Sequence, residues 1–101
     1  MQTITFFQRF ENDILAGRKT ITLRDKSESH FEAGETVNVA NLETATCYGQ
    51  LHILSVAWVK FDDLNSLHAQ QENMTLVELK TLIREIYPEI QALYQINFKL
   101  L

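Results

Sequence analysis

The chain has 101 residues, of which 46% are hydrophobic, and this length and composition predict one compact domain, residues 1–101. Nine basic against thirteen acidic residues give a net charge of -4, which disfavours a surface that tracks a phosphate backbone. Cys47 is the only cysteine, so no intramolecular disulfide can form. No apolar run approaches the roughly 20 residues needed to cross a bilayer, and no secretory leader is recognisable. We therefore predict a cytoplasmic protein with no membrane partner.

The first half of the chain predicts strands interrupted by one helix. Residues 3–7 are β-branched and aromatic, as is typical of a strand. Residues 8–17 change to helical spacing and end at Gly17, and residues 20–24 alternate between apolar and polar side chains. After a long polar loop, residues 36–42 alternate again. Residues 46–59 predict one long strand or two joined at a bend, where Gly49 could mark a bulge.

The second half predicts two helices and a final strand. Residues 61–72 place apolar side chains at helical intervals. Thr75 and Glu78 match a capping box, which begins a helix with a leucine and isoleucine stripe that Pro88 cannot continue. Residues 93–101 return to a strand pattern. Strands interleaved with about three helices predict a small α+β domain, whose sheet could curl into a barrel.

The most promising residues for catalysis lie between residues 18 and 26. A threonine hydroxyl attacks a carbonyl only if a neighbouring group accepts its proton. A lysine can do so only if burial or nearby cations lower its pKa from about 10.4. Lys19 and Thr22 could form such a pair, with Arg18 and Arg24 as the cations. The local sequence favours a simpler interpretation, in which Lys19 lies in solvent just beyond a helix end.

The catalytic interpretation makes a structural demand on the chain around Lys19. Residues three apart on an ideal strand project to opposite faces, so Lys19 and Thr22 cannot meet on a regular strand. The strand must begin after Lys19 or be distorted there, and Gly17 tolerates the unusual backbone angles that such an entry needs. Arg24 shares the face of Thr22 if the strand is regular.

Other candidate groups remain open on sequence alone. Glu72 lies near a predicted helix end, where it is either a solvated carboxylate or a proton donor to a leaving amine. His68 precedes it by four residues, but a third metal ligand at a recognisable spacing is missing. No P-loop, dinucleotide fingerprint or G-x-S-x-G elbow occurs, and we expect neither a metal nor another cofactor.

Four segments together carry a resemblance to a known family: "ITFFQRFENDILAGRKTITLRD", "SESHFEAGE", "HAQQENMTLVELK" and "IYP". They strongly resemble the small bacterial N4-acetylcytidine amidohydrolases of the ASCH-domain superfamily. The similarity runs from Ile4 to Lys99, and its specific part is the combination of G-R-K-T-I-T with the later Q-E-N-M-T-L. Residues 38–66 match only loosely.

The resemblance implies a fold and a reaction. The fold is a PUA-like β-barrel flanked by about three helices, in a single ASCH domain. The reaction is hydrolysis of the acetyl amide of N4-acetylcytidine, which gives cytidine and acetate. Residue by residue, the family's proton acceptor falls on Lys19, its nucleophile on Thr22 and its proton donor on Glu72. Arg24 is our candidate for binding the substrate or the oxyanion of the tetrahedral intermediate.

A non-catalytic RNA-binding module is the alternative, because ASCH and PUA-like domains are also associated with RNA. In that interpretation Arg18, Lys19, Arg24 and Lys26 contact phosphates and aromatic side chains stack on a base. The acidic composition favours a free nucleoside as the ligand, although acetylcytidine within RNA stays open as a substrate.

Overall fold

The computed structural model describes all 101 residues, which form five strands and three α-helices. The strands are β1 (Thr3–Phe6), β2 (Ile21–Arg24), β3 (Thr36–Asn41), β4 (Cys47–Lys60) and β5 (Ala92–Leu100). The helices are α1 (Glu11–Leu15), α2 (Ser66–Gln71) and α3 (Leu76–Ile86), and single 3-10 turns occur at Gln8–Phe10, Lys26–Glu28 and Phe61–Asp63. The predicted α+β class with about three helices is confirmed. None of the helices has the length and apolar character needed to span a membrane.

The five strands form one mixed sheet in the order β1-β3-β4-β5-β2. β1 pairs in parallel with β3, and the other three pairings are antiparallel. The edges of a flat sheet of this size would lie roughly 19 Å apart, at about 4.8 Å per step. Here the side chain of Arg24 on β2 reaches the carbonyl oxygen of Thr5 on β1, at 2.5 Å. The sheet therefore curls until its edges approach each other, but β1 and β2 do not pair, so the predicted barrel is not closed.

Two irregularities on β4 bend this long strand. Its pairing with β3 shifts register so that Val39 lies opposite Gly49 and Ala40 opposite Cys47, which leaves Tyr48 as the extra residue. A second shift lies between Ile53 and Ser55, where β4 pairs with β5. Bulges increase the local twist and bend a strand. The first one lies beside Gly49, as predicted, and the two together let a single strand of 14 residues take part in both halves of the curled sheet.

The buried apolar residues form two clusters on opposite faces of the sheet. The first fills the curled sheet and contains Ile4, Phe6, Ile14, Phe31, Val37, Val39, Leu51, Ile53, Ile96 and Phe98. The second lies between the sheet and the helices and contains Ile21, Leu23, Leu64, Ala69, Leu79, Ile83 and Leu93. The two faces of β2 point to different clusters. Ile21 and Leu23 belong to the second cluster, whereas Thr22 is paired with Ile96 of the first. The predicted alternation of this strand is confirmed.

The helices that follow β4 bring Glu72 to the sheet. The prediction of one helix over residues 61–72 was wrong in extent, because a 3-10 turn precedes α2 and Asn65 caps it with its side chain. Glu72 is the residue that ends α2. Asn73 then adopts a left-handed conformation with φ of 56°, and α3 begins three residues later, at Leu76. This tight connection places Glu72 next to the helix that covers the second cluster.

The predicted capping box of α3 is present, and its contribution can be measured. The Thr75 hydroxyl accepts from the Glu78 amide and the Glu78 carboxylate accepts from the Thr75 amide, each at 3.1 Å. We expect Thr75→Ala to lower the free energy of unfolding by about 1 kcal/mol, because it leaves an amide donor without its partner. Thr81→Ala on the same helix is the control, since Thr81 is exposed and caps nothing. Equal denaturation midpoints for Thr75→Ala and the wild type would contradict the prediction.

Candidate active site

The chain turns sharply before β2, which places Lys19 outside the strand. Gly17 has a φ of 75° just after α1, and β2 begins only at Ile21. The amides of Arg18 and Lys19 both donate to the carbonyl oxygen of Asp13, at 2.9 and 3.1 Å, which fixes this turn. The structural demand made by the sequence is thus met, because the strand begins after Lys19.

The side chain of Lys19 is buried and paired with Glu72. Its Nζ donates to Glu72 Oε2 at 2.5 Å, and the two residues are only 3% and 4% exposed. The backbone supports this contact, because the amide of Thr20 donates to the carbonyl oxygen of Gln71 at 2.8 Å. The simpler interpretations of both residues were therefore wrong: Lys19 is not a lysine in solvent and Glu72 is not a solvated carboxylate.

The environment of the Lys19 amine weakens its hold on a proton. Burial lowers the pKa of Lys19 below its ordinary value, with a further small lowering by the positive charge of Arg24. The paired carboxylate of Glu72 acts in the opposite direction, but burial is the larger influence. The amine also lies 4.9 Å from the ring centre of Phe10 and 5.5 Å from that of Phe6. Aromatic faces replace water around this amine.

Thr22 is held by a neighbouring cation. It is 6% exposed, and its Oγ1 accepts a hydrogen bond from Nε of Arg24 at 3.1 Å. The same guanidinium donates to the carbonyl oxygen of Thr5 and lies 4.9 Å from the ring centre of Phe6. Burial lowers the pKa of Arg24, yet a guanidinium starts so high that it stays charged at neutral pH. Arg24 therefore lies on the face of Thr22, as the strand pattern predicts.

A cavity of about 200 Å³ joins these side chains. It lies between the two edge strands of the open sheet, under α3, and is lined by Thr5, Phe6, Phe7, Phe10, Lys19, Thr22, Leu23, Arg24, Glu28, Leu42, Glu72, Leu79, Leu82, Ile83, Ile86 and Tyr87. Lys19, Thr22 and Glu72 are its buried polar groups, and no hydrogen bond links Lys19 to Thr22. Glu72 Oε1 is buried and has no hydrogen-bond partner in the protein. A ligand in the cavity could satisfy this oxygen, which otherwise carries a desolvation cost.

Chemically, the cavity combines a hydroxyl, an amine of lowered pKa, a carboxyl group and a fixed guanidinium within apolar walls. A hydroxyl next to a base and a proton donor is suited to acyl transfer. The guanidinium can stabilise negative charge that develops on the attacking oxygen or on a carbonyl oxygen.

The remaining candidates lie elsewhere. Arg18 is an exposed residue paired with Asp13 at 3.0 Å, and Lys26 is exposed and does not line the cavity. His68 Nδ1 accepts from the Asn65 amide and its Nε2 lies 3.1 Å from Gln95 Oε1, so neither ring nitrogen is bonded to Glu72. The four clustered cations of the sequence therefore do not form one surface patch, which leaves the RNA-binding alternative without support.

Several lining residues were missed by the sequence interpretation. Phe6 and Phe10, which face the Lys19 amine, have the spacing of ordinary core residues. Glu28 lies in a 3-10 turn and Tyr87 ends α3, 59 residues further along the chain, so no local pattern could bring them together.

Comparison with known proteins adds relatives that share nearly the whole chain. No protein-family model matches it. It is 55% identical over 96 residues to a Vibrio vulnificus (strain YJ016) protein named N(4)-acetylcytidine amidohydrolase, covering 95% of this chain and 92% of that one. A Serratia proteamaculans (strain 568) protein of the same name is 56% identical over 95 residues, with coverage of 94% and 93%. The solved ASCH domain from Lactobacillus crispatus JV V101 has a TM-score of 0.81 at 15% identity, covering 98% of this chain and 79% of that one.

The sequence relatives cover this chain almost completely, and the solved ASCH domain shares its fold. The chain therefore belongs to the N(4)-acetylcytidine amidohydrolase family of hydrolases and has the ASCH-domain fold.

Proposed function

We propose that the chain hydrolyses the acetyl amide of N4-acetylcytidine to cytidine and acetate, with Thr22 as nucleophile, Lys19 as base and Glu72 as proton donor. The observation that carries the proposal is the enclosure of these three buried polar groups in one cavity, with Glu72 Oε1 left without a partner. The names of the relatives from Vibrio vulnificus and Serratia proteamaculans support the choice of substrate. A free nucleoside also suits the acidic composition of the chain.

Lys19 and Glu72 share one proton, and its position decides whether the pair can supply both the base and the acid of the reaction. When Glu72 holds that proton, Lys19 is a neutral amine and Glu72 is a carboxylic acid, which are the two forms that the reaction needs. This arrangement has the same total number of protons as the ion pair. Moving the proton from Lys19 to Glu72 removes two charges from an apolar cavity, and a bound substrate that displaces water favours this form.

Acylation follows from this starting form. Lys19 takes the proton of the Thr22 hydroxyl while Oγ1 bonds to the acetyl carbon. The C–N4 bond then breaks as Glu72 gives its proton to N4, so cytidine leaves and Thr22 carries the acetyl group as an ester. Lys19 is now protonated and Glu72 is ionised. For this step Lys19 must turn from Glu72 towards Thr22, and such catalytic hydrogen bonds commonly tighten only when substrate is bound.

Deacylation reverses these proton movements. Glu72 accepts a proton from water as the water oxygen attacks the ester carbon. Lys19 returns its proton to Thr22 Oγ1 when the C–O bond to Thr22 breaks, so acetic acid leaves and the starting form is restored. The acid then loses its proton to solvent and becomes acetate. Arg24 donates to Thr22 Oγ1 at 3.1 Å and would stabilise negative charge on this oxygen in both steps. The same guanidinium is our candidate donor for the carbonyl oxyanion.

Replacing Thr22 tests the nucleophile. We expect Thr22→Val, which keeps the side-chain shape, and Thr22→Ala to lower kcat for N4-acetylcytidine by at least about 10³-fold, because no acyl-enzyme can form. Thr22→Ser retains a hydroxyl and should keep measurable turnover. Product formation is followed by chromatography of cytidine. Full activity of Thr22→Ala would exclude Thr22 as the nucleophile.

Removing Glu72 tests the shared proton. In Glu72→Gln the largest influence that raises the pKa of Lys19 is gone, so we expect a lower pKa of Lys19 than in the wild type. NMR of the Lys19 ε-carbon measures this pKa. The folded state should lose about 3 kcal/mol of stability near neutral pH, because a buried partner is removed. The pKa of Lys19 is then lower in the folded state than in the unfolded state, so the unfolded chain binds more protons as the pH passes between the two values. The free energy of unfolding of this variant should therefore rise with pH.

The matched control for this experiment is Glu85→Gln, which removes an exposed carboxylate that makes no hydrogen bond within the protein. It should leave the ionisation of Lys19 unchanged. An unaltered or higher pKa of Lys19 in Glu72→Gln would contradict the proton-sharing mechanism.

Replacing Arg24 by lysine tests the role of the fixed guanidinium. A lysine keeps the charge but cannot donate to both Thr22 and Thr5 in the same planar geometry. We expect Arg24→Lys to lower kcat by about 10²- to 10³-fold, as when one donor to a developing oxyanion is lost. Arg18→Lys, at an exposed position on the turn before β2, is the control and should stay within twofold of wild type. A wild-type kcat in Arg24→Lys would show that Arg24 acts only through its positive charge and not through the geometry of its donors.

A further inference from the structure

The cavity has an inner and an outer end that differ in exposure. Its inner end contains Lys19, Thr22 and Glu72, all nearly inaccessible to solvent. Its exposed lining residues are Glu28, with 54% of its side chain exposed, and the apolar Leu42 and Ile86. A ligand whose reacting amide lies at the inner end must therefore extend outward past Glu28.

Glu28 is held in place at the outer end of the cavity, which is its mouth. Its Oε2 accepts a hydrogen bond from the Tyr87 hydroxyl at 2.9 Å and lies 3.8 Å from Nη1 of Arg24. Its Oε1 takes part in no hydrogen bond within the protein. Burial and the neighbouring carboxylate raise the pKa of Tyr87 to about 12, so its hydroxyl keeps its proton and remains a donor. One oxygen of a fixed carboxylate is thus available to a ligand.

The mouth offers no comparable cation. Arg24 is the nearest one, and its guanidinium is engaged by Thr22 and Thr5. Lys26 is exposed on the turn that carries Glu28 but does not line the cavity. Glu28 is therefore the only charged group among the exposed residues of the lining.

We infer that Glu28 is a specificity-determining residue, which accepts a hydrogen bond from a ribose hydroxyl and disfavours substrates that carry a phosphate at that end. The inference rests on the proposed function, since the reacting amide at the inner end directs the ribose to the mouth. Ribose hydroxyls are donors that a carboxylate binds well, whereas a phosphate there would meet a like charge. The enzyme therefore selects the uncharged nucleoside over its 5′-phosphate.

The test compares three substrates with wild type, Glu28→Gln and Glu28→Asp. The substrates are N4-acetylcytidine, its 5′-monophosphate and N4-acetylcytosine, which lacks the ribose. We expect wild type to prefer the nucleoside over the monophosphate in kcat/KM. In Glu28→Gln this preference should fall by about 3- to 30-fold, a range that spans the interaction of two charges roughly 8 Å apart in bulk water and near a protein surface. Glu28→Asp keeps the charge and should keep the preference.

Two further comparisons separate this role from a structural one. In Glu28→Gln, activity on N4-acetylcytosine should fall less than activity on N4-acetylcytidine, because the base alone does not reach the mouth. A disturbance of Arg24, which lies 3.8 Å from Glu28, would lower both activities alike. Glu89→Gln removes an exposed carboxylate that does not line the cavity and should leave all three activities unchanged. High salt should also weaken the preference of the wild type, since it screens exposed charges.

The contrary outcomes are distinct. If wild type hydrolyses the nucleoside and the monophosphate equally, or if Glu28→Gln leaves their ratio unchanged, the role of Glu28 is overturned while the proposed function stands. Loss of the preference in Glu28→Asp to the same degree as in Glu28→Gln also overturns it, since charge is then not the cause. If wild type hydrolyses none of the three substrates, the proposed function itself fails, and the inference with it.

Discussion

The buried contact between Lys19 and Glu72 is the constraint on which the rest of the site depends. Removing two charges from water costs several kcal/mol per ion, and only close pairing or movement of the proton offsets this. The two residues lie 53 positions apart, on the turn before β2 and at the end of α2. Their contact therefore ties the first strands to the helices at one point, where the backbone bond from Thr20 to Gln71 reinforces it.

The open edge of the sheet provides the space for the site. In a small closed barrel the edge strands would pair through their backbones and side chains would fill the interior. Here the guanidinium of Arg24 takes the place of backbone pairing between β2 and β1, and the cavity lies beside this bridge. Apolar residues of α3 cover it. The fold thus leaves one edge unpaired, where a ligand can reach buried polar groups, while a single side chain holds the two edges together.

Local patterns in the sequence predicted much of the fold but little of the geometry of the site. Period-two alternation placed Thr22 and Arg24 on one face of β2, and the spacing of Thr75 and Glu78 located the start of α3. The burial of Lys19 could not be predicted this way, because it depends on a carboxylate far along the chain. Resemblance to a family named the three polar residues together. It did not indicate which of them touch, or that Lys19 contacts Glu72 and not Thr22.

The choice of residue types at the inner end follows from the same constraint. Threonine is β-branched, so it suits a strand and has few rotamers to lose when Arg24 fixes its hydroxyl. A lysine and a glutamate in contact can exchange a proton without any change in total charge, so they tolerate an apolar cavity that would expel an isolated ion. Two glutamates or two lysines would instead repel each other there. The pair that is costly to bury as two ions is thus also a pair that becomes uncharged when one proton moves from the lysine to the glutamate.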